Sequence, residues 1–247
     1  MPTSSENPHN PHNPHNSRLV FTDVDETLIT CKSLFDFHDY YSAGRYGAEG
    51  SRRAAALRED LCARTAAGLP REEANRAYYR AWRGEPVAAV EEWARRWFTE
   101  RSAAKGFYVR RVAEELRAHR AGGASIALVS GSFRPLLEPL AEAVGAEHVL
   151  CARPERCGRV YTGALLGAPV IGTEKRRLVR ELLFRYAHID PADCYGYGDD
   201  PSDLPMLDEV GHAVRVGALA CGQGSSGGSR AEPGPDRGEG RPVLQSC

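Results

Sequence analysis

Short apolar segments alternate with amphipathic segments along most of this chain, which limits the folds open to it. Residues 18–22, 125–129 and 194–197 have the composition of buried parallel strands, and each runs directly into a polar cluster. Residues 107–120 and 174–187 have the spacing of amphipathic helices. Further predicted elements are a helix over 135–144, strands over 148–151 and 212–216, and a hairpin arm over 159–165. This order predicts an α/β fold with a doubly wound, mostly parallel sheet.

A helical subdomain interrupts this pattern. Residues 33–101 contain stretches rich in Ala, Arg and Glu at helical spacing, with Pro70 and Pro86 where first helical turns are expected. The core is then formed by residues 18–32 and 102–220. The subdomain also carries a stripe of aromatic side chains, which is more typical of a helical core than of a ligand site: Tyr78, Tyr79, Trp82, Trp93, Trp97 and Phe98.

The two ends of the chain have a different composition. Residues 1–17 contain a repeat of Asn-Pro-His, and a proline at every third position excludes a helix. We therefore predict a disordered leader, with weak metal binding by its histidines as the alternative. Residues 221–247 are rich in Gly, Ser, Pro and charge, which predicts a disordered tail.

The charge balance bears on partners and location. Lys and Arg number 32 against 33 Asp and Glu, which argues against a generally basic, nucleic-acid-coating protein but not against a local basic patch. No apolar run reaches the roughly 18 residues that span a bilayer, and the N-terminus lacks a signal-peptide pattern. We expect a cytoplasmic protein with no nucleic-acid or membrane partner. The seven cysteines are scattered, so reduced thiols are expected rather than disulfides or a zinc site.

Two carboxylates follow the first predicted strand. Asp23 and Asp25 are two residues apart, and they can share one small cavity if the chain turns there. One carboxylate can attack an electrophile such as phosphorus while the other transfers a proton. The alternative is a solvated acidic turn.

Phosphate-binding chemistry is indicated at two further places. Ser130 and Gly131 follow the second strand, where a hydroxyl and backbone N–H groups can cradle a phosphate, although both are also ordinary residues at a helix start. Lys175 is one of three lysines in a chain whose other basic residues are arginines. Its compact charge can neutralise both a phosphate and a carboxylate. The alternative is a solvated surface lysine.

A second acidic cluster follows the strand predicted at 194–197. It includes Asp199 and Asp203, and it precedes a helix. Hard oxygen donors grouped in this way suit Mg²⁺, which binds one or two carboxylates together with waters and a phosphate oxygen. This cluster therefore predicts a Mg²⁺ site.

The four clusters, in this order, resemble the motifs of the haloacid dehalogenase (HAD) superfamily of phosphatases. The resemblance covers residues 18–216. The segment 195–207 is especially similar to the fourth motif of subfamily IB, the branch that includes phosphoserine phosphatase. The resemblance implies a Rossmann-like core whose cap is the helical subdomain. It also implies a Mg²⁺-dependent phosphatase acting on a small phosphorylated metabolite.

The same resemblance implies a role for each site residue. Asp23 would be the nucleophile and Asp25 the general acid/base. Dehalogenases of the superfamily lack an acid two residues after the nucleophile, so Asp25 favours a phosphate ester over a halide as the substrate. The residues implied to hold the phosphoryl group are Thr27, Ser130, Gly131 and Lys175. Those implied at the metal are Asp23, the backbone carbonyl of Asp25, Asp199 and, behind it, Asp203.

Lys32 bears on the substrate. Phosphoserine phosphatases carry a Glu nine residues after the nucleophile, which reads the ammonium group of the substrate, and the matching position here holds Lys32. A cation repels an ammonium, so the resemblance predicts that phosphoserine is a poor substrate. The alternative is that Lys32 points to solvent. Arg45 and Arg64 are expected as further cap contacts to the substrate.

The chain also departs from the family pattern. Glu26 stands where many relatives have Gly or Ser. Asp200 adds a carboxylate that could tighten the metal site or raise the pKa of a neighbour. The family usually continues past the last strand with Asn-Pro and a closing helix, whereas this sequence turns to low complexity. Two alternatives stay open: a phosphotransferase using the same intermediate, and a non-catalytic regulatory protein on this scaffold. No sequence feature indicates an oligomeric state.

Overall fold

A five-stranded parallel sheet lies at the centre of the structure, a computed structural model that describes residues 17–217. The strands of the chain are β1 (Arg18–Thr22), β2 (Ala124–Phe133), β3 (His148–Ala152), β4 (Pro154–Cys157), β5 (Val160–Leu165), β6 (Tyr195–Gly198) and β7 (His212–Arg215). The sheet order is β3-β2-β1-β6-β7, while β4 and β5 form a separate antiparallel hairpin. The predicted doubly wound α/β fold is confirmed.

Seven α-helices accompany these strands within the described residues. They are α1 (Ser33–Ala66), α2 (Arg71–Arg80), α3 (Val87–Ser102), α4 (Arg110–Ala121), α5 (Arg134–Val144), α6 (Thr173–Arg185) and α7 (Leu204–Leu207). Helix α1 is broken at Gly47, whose φ is 59°. The helices α1, α2 and α3 lie between β1 and α4, and together they are called the cap here.

The helix predicted from residue 107 begins at Arg110 instead. The preceding residues are extended and pair with the segment that leaves the core for the cap. Thr30 donates its N–H to the Phe107 carbonyl at 2.9 Å, and Val109 donates its N–H to the Leu28 carbonyl at 2.9 Å. These backbone groups are thus satisfied by the neighbouring chain rather than by a helix. The pairing ties together the two chain crossings between core and cap.

Strand β1 is buried on both faces, as its continuous apolar run predicts. Val20 packs into one hydrophobic cluster with residues of α4 and α5. Leu19 and Phe21 pack into a second cluster with residues of α6. All three side chains are completely buried, and each such burial contributes roughly 1.5–3 kcal/mol to folding. The residues that follow β1 are therefore anchored to a strand that is buried on both faces.

The aromatic stripe forms the interior of the cap. The Phe37 and Trp82 rings stack with centroids 5.5 Å apart, and the Trp97 ring meets Phe37 edge-on at 6.1 Å. Among the predicted aromatic residues, four are buried and two are partly buried: Tyr78, Tyr79, Trp82 and Trp97, then Trp93 and Phe98. The interpretation of the stripe as a core is confirmed.

Parts of the predicted ends lie outside the described residues. These parts are all of the leader except Ser17, and the whole tail from residue 221 onward. Within residues 17–217, no helix has the length and apolar character needed to cross a membrane.

Candidate active site

A cavity of about 350 Å³ lies where the carboxyl ends of β1 and β6 meet the cap. The two strands are neighbours, and the Asp23 N–H donates to the Tyr197 carbonyl at 2.9 Å. The strand order reverses between them, because the sheet continues from β1 to β2 and β3 on one side and from β6 to β7 on the other. Open α/β sheets bind ligands at such a point. The predicted site residues that line the cavity are Asp23, Asp25, Lys32, Ser130, Gly131, Lys175, Asp199 and Asp203.

Lys175 is the buried cation of this cavity. Its Nζ lies 2.6 Å from Asp23 Oδ1 and 2.6 Å from Asp203 Oδ1, and its side chain is 5% exposed. Burial alone would lower the pKa of Lys175, but the two carboxylates raise it above its ordinary value. The ammonium therefore stays charged and fixes the orientation of Asp23.

The carboxylates outnumber the cation that they share. Burial, reinforced by Asp203 and Asp25, raises the pKa of Asp23 to about 7 despite the opposing effect of Lys175. Burial also raises the pKa of Asp199. One carboxylate oxygen from each of Asp23, Asp199 and Asp203 can be chosen so that all three lie within 4.8 Å of one another. A divalent cation would balance this excess of negative charge, and three hard oxygens fit Mg²⁺.

Asp203 orients this cluster from behind. Its Oδ1 accepts from Lys175, and its Oδ2 accepts from the backbone N–H of Asp200 at 3.2 Å. The side chain is 1% exposed. Because both of its oxygens already hold protein donors, Asp23 and Asp199 are better placed as direct metal ligands.

Thr27 is placed differently from its predicted role. It is completely buried and does not line the cavity. Its hydroxyl donates to Asp199 Oδ1 at 2.7 Å, so it fixes that carboxylate rather than facing a phosphoryl group. This hydrogen bond also opposes the rise in the pKa of Asp199.

Asp25 has the properties of a proton-transfer group. It is partly buried beside Asp23, and burial raises its pKa to about 6, while hydrogen bonds from Ser33 oppose this rise. Its Oδ1 is buried with no hydrogen-bond partner among the described residues. A carboxyl group whose pKa lies near neutrality can both donate and accept a proton at working pH.

The segment from Ser130 to Ser132, predicted to bind phosphate, is called the phosphate loop here. It belongs to β2, which is longer than predicted, although its pairing with β3 shifts register between Ser130 and Phe133. The Ser132 N–H donates to Ser130 Oγ at 3.0 Å. Since Oγ accepts this bond, its own hydrogen stays available for an anion in the cavity.

The cap residues expected at the substrate are only partly brought to the site. Lys32 lines the cavity, with Nζ 3.5 Å from Glu26 Oε2. Arg45 and Arg64 do not line it, because each turns to an acid elsewhere in the cap. Arg45 Nε lies 3.6 Å from Glu85 Oε2, and Arg64 Nη1 lies 3.2 Å from the Asp60 carboxylate one helical turn earlier.

Arg71 takes the place at the cavity that was expected for those two arginines. It lies at the first position of α2, and it forms an ion pair with Asp200 of the core. Burial would raise the pKa of Asp200, but hydrogen bonds from Ser202 and the Arg71 charge lower it. Asp200 is thus directed to the cap rather than to the metal cluster. The sequence signal was Pro70, which marks the helix start and so places Arg71 in its first turn.

Glu26 adopts a left-handed backbone conformation. Its φ is 62°, a value that favours glycine at this position. A non-glycine residue there carries roughly 1–2 kcal/mol of backbone strain. The buried residues on either side of the turn, Val24 and Thr27, hold Glu26 in this conformation despite the strain.

Comparisons with known proteins indicate a family and a shared fold. The family model of haloacid dehalogenase-like hydrolases matches residues 20–208. A Mycobacterium tuberculosis protein named "Probable phosphatase" is 35% identical over 105 residues, 42% of this chain and 36% of that relative. A Bordetella pertussis protein of unknown function has a similar structure, with a TM-score of 0.70, 25% identity and coverage of 81% and 90%. A phosphoserine phosphatase with a phospho-aspartyl intermediate analogue has the same fold, with a TM-score of 0.58, 16% identity and coverage of 81% and 86%.

Proposed function

The chain belongs to the haloacid dehalogenase-like hydrolase family, and on that premise we propose that it is a Mg²⁺-dependent phosphatase of small phosphate monoesters. The observation that carries the proposal is the contact between Lys175 and Asp23 in a cavity that Asp25 also lines. It supplies a fixed carboxylate, a neutralising cation and a titratable acid in one place. The mycobacterial relative aligns over only about a third of its length, so the activity is argued from the site itself.

The reaction follows from the roles that these side chains can take. Asp23 uses the oxygen that Lys175 does not hold to attack phosphorus, and the bond from phosphorus to the ester oxygen breaks. Asp25 gives its proton to the leaving oxygen. The aspartyl-phosphate is then hydrolysed by a water that Asp25 deprotonates, which releases phosphate and restores Asp23. Mg²⁺, when held by Asp23 and Asp199, would neutralise charge on the phosphoryl oxygens.

Lys175 and Ser130 stabilise the charge that develops during transfer. The Lys175 ammonium lies at hydrogen-bond distance from Asp23, so it also stands close to the phosphoryl oxygens of a bound ester. The Ser130 hydroxyl is free to donate to one of those oxygens. Fixed donors in a buried site are more effective than water because they need no reorganisation during the reaction.

The test is the release of inorganic phosphate from an aryl phosphate. We expect release with Mg²⁺, loss of release when EDTA is added, and recovery when Mg²⁺ is restored. Release that is indifferent to EDTA would exclude the metal dependence. The complete absence of release would favour the non-catalytic alternative. A phosphorylated product formed from an added alcohol would favour the phosphotransferase.

Lys32 leads to a prediction about the leaving group. Among the described residues, no acid of the cap helices lines the cavity, and its two partly exposed cations are Lys32, which pairs with Glu26, and Arg71, which pairs with Asp200. An ammonium on the leaving group would therefore meet two cations whose neighbouring acids are already paired, and no unpaired acid of the cap helices. We expect phosphoserine to have a lower kcat/KM than sugar, polyol or nucleoside monophosphates.

A charge reversal tests this preference. Lys32→Glu should reduce kcat/KM for the preferred ester by about tenfold, because it replaces a favourable charge with a repulsive one, and it should spare an aryl phosphate. Lys105→Glu is the matched control, since it makes the same charge change at an exposed position outside the cavity. Phosphoserine as the best substrate of the wild type would contradict this role of Lys32.

A further inference from the structure

One face of helix α2 contacts two core segments that line the cavity. One is the phosphate loop, and the other, which follows β6 and contains Asp199 to Asp203, is called the acidic loop here. Arg71, Asn75 and Tyr79 are spaced four residues apart, so they form one stripe along the helix. Arg71 pairs with Asp200, which is next to Asp199 in the acidic loop. Asn75 and Tyr79 both reach the phosphate loop defined above. A single cap helix thus contacts the two segments that would hold metal and phosphate.

The Gly131 carbonyl is where the cap holds the phosphate loop. It accepts from Asn75 Nδ2 at 3.2 Å and from the Tyr79 hydroxyl at 2.9 Å. Asn75 is 8% exposed and Tyr79 is completely buried, so these bonds form away from bulk water. Hydrogen bonds of this kind are costly to leave unmade. These two bonds therefore hold the Gly131 carbonyl toward the cap.

The same peptide group is also held on its other side. The N–H of the Gly131–Ser132 peptide donates to Ser130 Oγ at 3.0 Å. A rotation of this peptide would break the two bonds to the cap and the bond to Ser130 together. Because Oγ accepts here, the Ser130 hydroxyl must turn its hydrogen elsewhere, and the cavity is the open direction. The cap contacts therefore determine where the Ser130 donor points.

We propose that Asn75 and Tyr79 are positioning residues that orient Ser130 toward the phosphoryl group through the Gly131 carbonyl. The expected effect on kcat rests on the proposed phosphatase function, whereas the expected effect on the conformation of the phosphate loop does not. Neither residue needs to touch the leaving group to act in this way. Their contribution should therefore be the same for every phosphate ester, unlike that of Lys32.

The kinetic test uses Tyr79→Phe, which removes only the hydroxyl. We expect kcat to fall by about tenfold with little change in KM, because a misplaced donor weakens transition-state binding more than ground-state binding. The loss should be equal for an aryl phosphate and for a sugar phosphate. Asn75→Leu should act in the same direction, and the double variant should fall further. Losses that depend on the leaving group would overturn the positioning role.

Tyr161→Phe is the matched control. Tyr161 is also buried and packs on Phe133, as Tyr79 does, with ring centroids 6.4 Å apart. Its hydroxyl has no hydrogen-bond partner among the described residues. Its removal changes the same aromatic core without touching the Gly131 carbonyl. We expect kcat of Tyr161→Phe to stay within about twofold of the wild type.

Hydrogen exchange tests the structural step without turnover. In Tyr79→Phe without substrate, the Ser132 amide should exchange at least about tenfold faster than in the wild type and in Tyr161→Phe. Faster exchange in Tyr79→Phe, together with a wild type that releases no phosphate, would support the loop contact and refute the phosphatase. Unchanged exchange at Ser132 would overturn the positioning role, whatever the activity.

Discussion

Asp23→Asn is expected to reduce kcat for phosphate release by at least about a thousandfold while leaving the fold intact. The amide has nearly the shape of the carboxylate but cannot attack phosphorus, and losing a nucleophile costs several orders of magnitude in rate. Lys175 keeps its contact with Asp203 in this variant, so the buried ammonium is not left without a partner. Phosphate release and circular dichroism, measured on one preparation, separate loss of chemistry from loss of folding.

Asp193→Asn is the control for Asp23→Asn. Asp193 is exposed just before β6 and does not line the cavity, so the same chemical change should leave kcat within about twofold of the wild type. The role of Asp23 would be disproved by a folded Asp23→Asn protein that keeps more than a few per cent of wild-type activity.

The centre of the site was predictable because strand ends are predictable. Asp23 and Asp199 follow short apolar strands, and the carboxyl ends of parallel neighbours must share one edge of the sheet. Lys175 was distinguished by being a lysine in an arginine-rich chain, and it contacts Asp23 across 152 positions of sequence. The local sequence pattern thus predicts the position of side chains that lie at the strand ends of the main sheet.

The cap side of the site was much less predictable. Helical spacing places Arg71, Asn75 and Tyr79 on one stripe, but no local rule says which core loop that stripe meets. The same limit explains Arg45 and Arg64, which form ion pairs with Glu85 and Asp60 instead of reaching the cavity. These positions depend on how two separately patterned units pack, and that packing is decided by contacts distant in sequence.

Thr27 and Asp200 illustrate a second limit. Both lie in motifs that the sequence identified, yet their side chains turn away from the roles that the motif suggested. Thr27 donates to Asp199, and Asp200 pairs with Arg71 while its carboxylate accepts from the Ser202 N–H. The strand-end pattern fixes where the residues lie but not which neighbour each polar group bonds.

Lys175→Met should lower both stability and activity. The change keeps an unbranched side chain of similar length but removes the ammonium that pairs with both Asp23 and Asp203. Removing one partner of a buried ion pair leaves an uncompensated charge, which costs about 3 kcal/mol at neutral pH. We expect a lower melting temperature at pH 7 and a fall of at least about a hundredfold in kcat.

Two comparisons show whether this loss arises from the carboxylates that Lys175 neutralises. Lys105→Met removes an exposed ammonium outside the cavity, and its melting temperature should stay within about 2 °C of the wild type. Mg²⁺ should raise the melting temperature of Lys175→Met more than that of the wild type. A cation that binds only the folded state stabilises it in proportion to its affinity, and the variant's site is more negative. If Lys175→Met melts like the wild type and gains nothing from Mg²⁺, the ammonium does not hold these carboxylates together.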